Sequence, residues 1–353
     1  MNFIKKTVAV VAAASLALSL SACHSDTSWA AKIGDDTTVP IGLYIYSQAA
    51  NYRTYAQNGL LLSSQSLSEQ TVKVSDSDVS ATEHLDSEGV KTVKSHVGAV
   101  IKAEELNVSL TDDEISSAES EAELSYETDK EVYEKNGIAK TSIVLYNQDT
   151  ALKSKLFTAI YGKDGTNPVT DKELKDYINE NFATINFIQQ YYYNEDGSEM
   201  TDAQKAKTKK QYETIKSQVE SGKVKFTDKC KDYEKNATSY KGGSTGYTTM
   251  WDTSSEDGQK ILNLKVGELT FLETDSAIVL VQKAKIDYDG AGLESSRDNL
   301  LLQYKYDEFI DELIAAAEKD KRVTFNQKAF DRFGSATRDF SKLTIPTNNY
   351  YGY

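Results

Sequence analysis

The sequence predicts an α+β protein in which N- and C-terminal segments build one helical domain and a smaller α+β module is inserted between them. Three observations carry this. Capping boxes, Thr-x-x-Glu or Thr-x-x-Gln, start separate helices at Thr111, Thr170 and Thr201. Strand-like composition in the second half gathers at Ala183–Tyr193 and Ala277–Lys283, with helical patterns between them. Near the end, Tyr306, Phe309, Ile310, Leu313, Ile314 and Ala317 recur at helical spacing, an apolar stripe that needs a distant partner.

The first residues read as an export signal. Lys5 and Lys6 precede an apolar run, Val8–Leu20, of about 13 residues, too short to cross a bilayer. The run ends in "LSAC", which resembles a bacterial lipobox. The expectation is a signal peptide over 1–22, a lipid-modified Cys23 as the mature N-terminus, and a polar tether through residue 31. Removing residues 1–22 takes two lysines and no acids, moving the net charge from −14 to −16. Such a chain avoids nucleic acid and is repelled by anionic head groups, so it needs the acyl anchor to stay at the membrane. With Cys23 acylated, Cys230 is the one remaining thiol and no intrachain disulfide forms.

The helical domain is expected over 32–168. A short strand, a turn at Gly34-Asp35-Asp36 and a helix from about Pro40 open it, Pro40 suiting a helix start because its missing N–H has no partner there. That helix reads as amphipathic, with Tyr44, Ser47, Gln48, Asn51, Tyr52 and Tyr55 on one face. Residues 81–161 read as mostly helical. Gly162, Gly165 and Pro168 then break the pattern.

The inserted module is expected over 169–287: a helix after Thr170, the strand "ATINFIQQYYY", a polar helix from Asp202 to Glu220 and the helix "KFTDKCKDYEKN". A Gly-rich loop "KGGSTGY" follows, and the turn Gly267-Glu268 leads into a terminal apolar strand. Residues 288–333 return as a long helix to the first domain. Residues 334–353 lack periodicity and are expected to be a flexible tail.

Candidate groups are few. Tyr191, Tyr192 and Tyr193 form either a peptide-binding platform or an ordinary strand with alternate rings packed. Met250 and Trp251 either keep an apolar groove open or cover the core. Cys230 falls at a buried helical position and reads as inert packing. The acidic run from Glu104 to Glu134 lacks calcium-loop spacing and reads as a solvated helix face. No hydrolase, zinc or phosphate-loop motif is present, and neither metal nor cofactor is expected.

Several stretches together resemble a family. The "LSAC" signal, "AAKIGDDTTVPIGLYIY", "PVTDKELKDYI", "GKVKFTDKCKDY", "KGGSTGY" and "LNLKVGELTFLETDSAIVLVQ" occur in the order found in extracytoplasmic foldases of the PrsA/SurA type, whose inserted module is a parvulin-type prolyl isomerase. The resemblance runs to about Phe333. It implies a helical chaperone domain, a membrane-anchored extracytoplasmic location, and unfolded or nascent secreted polypeptides as partners. It also implies two histidines on neighbouring central strands. This chain has none there: its histidines are His24, His84 and His96. The first family position falls on Asn186 or Phe187, depending on register, and the second on Val279, while Ser244 replaces the loop acid. The expectation is a foldase with a degenerate parvulin-like module, no catalytic residues, and a candidate peptide groove of Phe187, Tyr191, Tyr193, Met250 and Trp251. Two alternatives stand beside it: an active isomerase using Tyr and Asn in place of His, and an adaptor lipoprotein with one dedicated partner.

Overall fold

The computed structural model describes residues 28–74, 77–288 and 296–346. The expected signal peptide, Cys23 and His24 lie outside the described residues, as do 347–353 of the expected tail. The chain divides into two compact units, one of Met1–Pro168 with Lys305–Tyr353, the other of Val169–Tyr304.

The first unit opens with strands β1 (Trp29–Ile33) and β2 (Thr37–Pro40), joined by the expected turn at Gly34. Helix α1 (Ile41–Gln57) begins directly after Pro40. It corrects the amphipathic reading: every residue from Ile41 to Ala49 is buried, so α1 is the central helix and not a surface one. A hairpin the sequence pattern did not reveal, β3 (Thr71–Val74) and β4 (Ser77–Ser80), precedes α2 (Ala81–Leu106). Asn107 ends α2 in the left-handed conformation, an ordinary helix stop. Thr111 then starts α3 (Asp112–Thr128) with both bonds of its capping box. Helices α4 (Lys130–Lys135) and α5 (Lys140–Tyr161) complete this part.

The second unit begins with α6 (Asp171–Asn181), capped by the Thr170–Glu173 box, and strand β5 (Phe182–Tyr191). The third box, Thr201 with Gln204, starts α7 (Asp202–Glu220), followed by α8 (Phe226–Lys235). Strand β6 (Lys241–Met250) contains the whole of "KGGSTGY" and corrects its reading as a loop. After α9 (Glu256–Asn263), the closing stretch is two strands and not one: β7 (Leu269–Glu273) and β8 (Ala277–Ala284). Together they form an antiparallel sheet in the order β6-β5-β8-β7.

Helix α10 (Arg297–Lys319) follows. Its first turns belong to the second unit, which moves the return from the expected residue 288 to Lys305. Arg297 explains this: buried at 6% exposure, it donates to Asp171 Oδ1 and to the Val169 carbonyl. Further along α10, Phe309, Ile310, Leu313 and Ala317 are buried, and Phe309 meets Phe157 edge-on at 5.5 Å. Strand β9 (Val323–Phe325) pairs antiparallel with β1, so N- and C-terminal segments share one sheet, β2-β1-β9. Helix α11 (Gln327–Arg332) is the last α-helix among the described residues. The segment beyond it corrects the expectation of a loose tail: Phe340 and Leu343 are buried in the first unit's core, and only residues past 346 escape description.

Candidate functional site

The sheet of the second unit has two faces set by strand alternation. Toward α7 and α8 point Ile188, Tyr192, Ile278 and Leu280, packed with Tyr212, Phe226 and Cys230. Toward α9 point Ala183, Ile185, Phe187, Val279 and Val281, packed with Ile261, Trp251, Leu262, Leu264 and Leu272.

The α9 face is the candidate site. Phe187 pairs with Ser244 on β6 and Val281 on β8, while Gln189 pairs with Gly242 and Val279. Phe187 and Val279 are therefore diagonal neighbours on one face, half-buried, over a floor of Ile185, Val281 and Ile261. The Phe187 ring meets the exposed Tyr247 ring edge-on at 6.0 Å. Gln189, passed over in the sequence, is the polar side chain beside Val279; a two-residue step from Phe187 along the strand would have found it. At one margin Lys283 donates to the Leu262 carbonyl at 2.6 Å near the end of α9, and partial burial holds its ammonium below the ordinary value. The Trp251 indole N–H is buried without a partner. Such a face can shelter an apolar side chain. It offers no imidazole, carboxylate or thiol to a bound peptide bond.

Asn186 lies on the opposite face, and its chemistry is structural. One extra residue in β6 between Ser244 and Tyr247 makes a bulge, and Gly246 there has φ +70°, which favours glycine. The Gly246 amide donates to Asn186 Oδ1 at 2.9 Å, and Asn186 itself is 7% exposed. Its Nδ2 reaches Gln282 Oε1 only at 3.4 Å. Gly243 is required for a different reason: a Cβ there would stand 2.8 Å from the Cys230 carbonyl oxygen, so α8 lies directly on β6.

The expected groove residues are not brought together. Phe187 and Trp251 share the α9 face. Met250, exposed, pairs with Phe182 at the start of β5, whereas Tyr191 is exposed at its other end, roughly 30 Å along the strand at the usual rise. Tyr193 stacks on Tyr240 at 5.5 Å, and Tyr192 is buried with its hydroxyl donating to Glu273 Oε1. Burial, reinforced by that carboxylate, pushes the Tyr192 phenol up to about 12. Burial likewise raises the Cys230 thiol to about 12, leaving it protonated and unreactive at neutral pH.

In the first unit, the acidic run is a helix face laced with ion pairs such as Lys155–Glu114 and Lys140–Glu123. His84 bonds Tyr55. His96 is buried against Asp149 at 3.0 Å, and Lys153 donates to Asp149 Oδ2 at 2.6 Å and to Ser95 at 2.7 Å. Desolvation alone would raise the Asp149 carboxyl, but Lys153 and His96 reverse this and hold it below the ordinary range.

Residues 173–285 match the family model of the PPIC-type PPIASE domain. The inserted unit is therefore a PPIC-type, that is parvulin-type, domain. A search of curated proteins returns no match. Among solved structures, the chain is similar to the foldase PrsA of Lactococcus lactis at 15% identity, covering 87% of this chain and 99% of that one, with TM-score 0.31. It is similar to the peptidylprolyl isomerase PrsA of Bacillus cereus at 16% identity, 76% and 99% coverage and TM-score 0.34. For the foldase PrsA of Streptococcus pneumoniae the values are 15%, 74%, 97% and 0.31. The chain is a parvulin-domain protein with PrsA foldases among its structural neighbours.

Proposed function

We propose that this protein is an extracytoplasmic foldase of the PrsA type that works by holding unfolded secreted polypeptides and not by turning over prolyl bonds. The observation that carries this is a PPIC-type domain containing no histidine anywhere in residues 173–285. Rotation about an X–Pro bond faces a barrier of about 18–20 kcal/mol. Lowering it takes an apolar site that desolvates the amide and polar groups that weaken its double-bond character. The α9 face supplies the first through Phe187, Val279 and Trp251. For the second it has Gln189 and Ser244, neutral groups that do not titrate near neutrality. Phe187 and Val279 share that face, which supports assigning them, and not Asn186, to the family's histidine positions.

Anchoring through a lipid on Cys23 accounts for how so acidic a chain stays at a membrane. No described helix is long and apolar enough to cross one. Holding is tested with the chain starting after Cys23, added to a chemically unfolded client whose aggregation is followed by light scattering. Slowed aggregation at stoichiometric ratios is expected. No slowing at any ratio would remove the reading.

A further inference from the structure

The segment from Ser335 to Pro346 crosses the first unit as an extended strap, and the way it is held is informative. Asn136, 3% exposed and just beyond α4, gives both ends of its amide to one strap residue. Its Oδ1 accepts the Asp339 N–H at 2.9 Å, and its Nδ2 donates to the Asp339 carbonyl at 2.8 Å. Asp129, buried at the other end of α4, accepts the Thr344 N–H at 2.8 Å. Asp86 of α2 accepts the Ser335 N–H at 2.7 Å. All these bonds go to main-chain atoms, so any sequence with the same backbone path could make them. Side chains add to this grip: Lys135 donates to Asp339 Oδ2 at 2.7 Å, Arg338 to the Asn136 carbonyl at 2.7 Å and Ser335 to the Thr82 carbonyl at 3.0 Å. The buried anchors, however, are two apolar side chains three residues apart, Phe340 at 2% and Leu343 at 4% exposure, with the Phe340 ring 5.9 Å from that of Tyr52.

We propose that this cleft, lined by α1, α2 and α4, is a binding site for an extended polypeptide carrying two large apolar side chains three residues apart, and that the strap is its resting occupant. Unfolded chains present free main-chain amides together with exposed apolar side chains, which is the pair of features the cleft reads. The strap contains one 3₁₀ turn, Ser335–Thr337, but joins no sheet, so its release breaks no ladder. A client competes with a tethered segment, and its apparent affinity falls by the fraction of chains whose cleft is open. The inference deepens the holding function proposed above by naming where an unfolded chain is gripped.

The test uses the full chain and a fluorescein-labelled peptide of the strap sequence, residues 335–346, followed by anisotropy. Phe340→Ala loosens the strap while leaving the cleft intact. Its affinity for the peptide is expected to exceed the parent's by on the order of tenfold or more, with an unchanged far-UV circular dichroism spectrum. Adding Asn136→Ala, which removes the main-chain grip, should abolish the gain. Three results would overturn the proposal: no gain in a folded Phe340→Ala chain, a gain that survives Asn136→Ala, or loss of helical signal in Phe340→Ala, which would make the strap a fixed part of the core. Client aggregation is measured on the same preparations. A parent that slows aggregation while the variant gains no peptide binding sinks the cleft alone, whereas peptide binding without any effect on aggregation sinks the holding function alone.

Discussion

Replacing Asn186 by alanine separates a structural residue from a site residue. In the folded protein the Gly246 amide of the β6 bulge has Asn186 Oδ1 as its acceptor at 2.9 Å, from a side chain only 7% exposed. Asn186→Ala removes that bond; Gly246 is exposed, so water can take over its amide and the net loss is that of one hydrogen bond, about 0.5–1.5 kcal/mol. The long 3.4 Å contact to Gln282 adds little. The unfolding constant of the second unit should therefore rise roughly 2- to 13-fold. Because the two units need not unfold together, the signal must report one of them. Trp251 lies in the second unit and Trp29 in the first, so urea unfolding followed by tryptophan fluorescence in a Trp29→Phe background isolates the effect. A change below about 0.5 kcal/mol, the range of a neutral surface substitution, would refute the assignment.

Other consequences follow from the same contacts. Gly243→Val drives a side chain into the Cys230 carbonyl and should cost about 1–3 kcal/mol or more in the same urea assay. In the chain starting after Cys23, Cys230, fully buried with its thiol raised to about 12, should resist Ellman's reagent at pH 8 in the native protein and react fully in urea; rapid native labelling would contradict its burial. Lys153→Met leaves the Asp149 carboxylate buried with less compensation and should destabilise the first unit by about 3–5 kcal/mol, read from the unfolding midpoint. Because the Asp149 carboxyl is held below its unfolded value, its stabilisation is present above the ordinary carboxylate range and lost as pH falls through the lowered one. The parent's stability should thus drop more steeply on acidification than that of Lys153→Met.

Local signals in the sequence were strong where one residue's chemistry decides a boundary. All three capping boxes form with both of their bonds, and the turn at Gly34 stands where glycine and aspartates set it. Tertiary context decided the rest. A segment with three glycines reads as a loop until β5 is placed beside it, and then the glycines explain the close approach of α8 and the bulge. The strap has no periodicity because it is held by Asn136, Asp129 and Asp86, side chains some 200 or more residues earlier in the chain. The face of β5 carrying the site was undecided between Asn186 and Phe187 until strand alternation and packing with Ile261 of α9 placed Phe187, with Val279, on that face.

The central claim is that the PPIC-type domain of this chain has an apolar face and lacks the groups that speed prolyl rotation. The direct measurement is cis-to-trans isomerisation of a proline tetrapeptide by the full chain, alongside a histidine-bearing parvulin at equal concentration. A rate indistinguishable from the uncatalysed reaction is predicted; kcat/KM comparable to the parvulin would contradict the account.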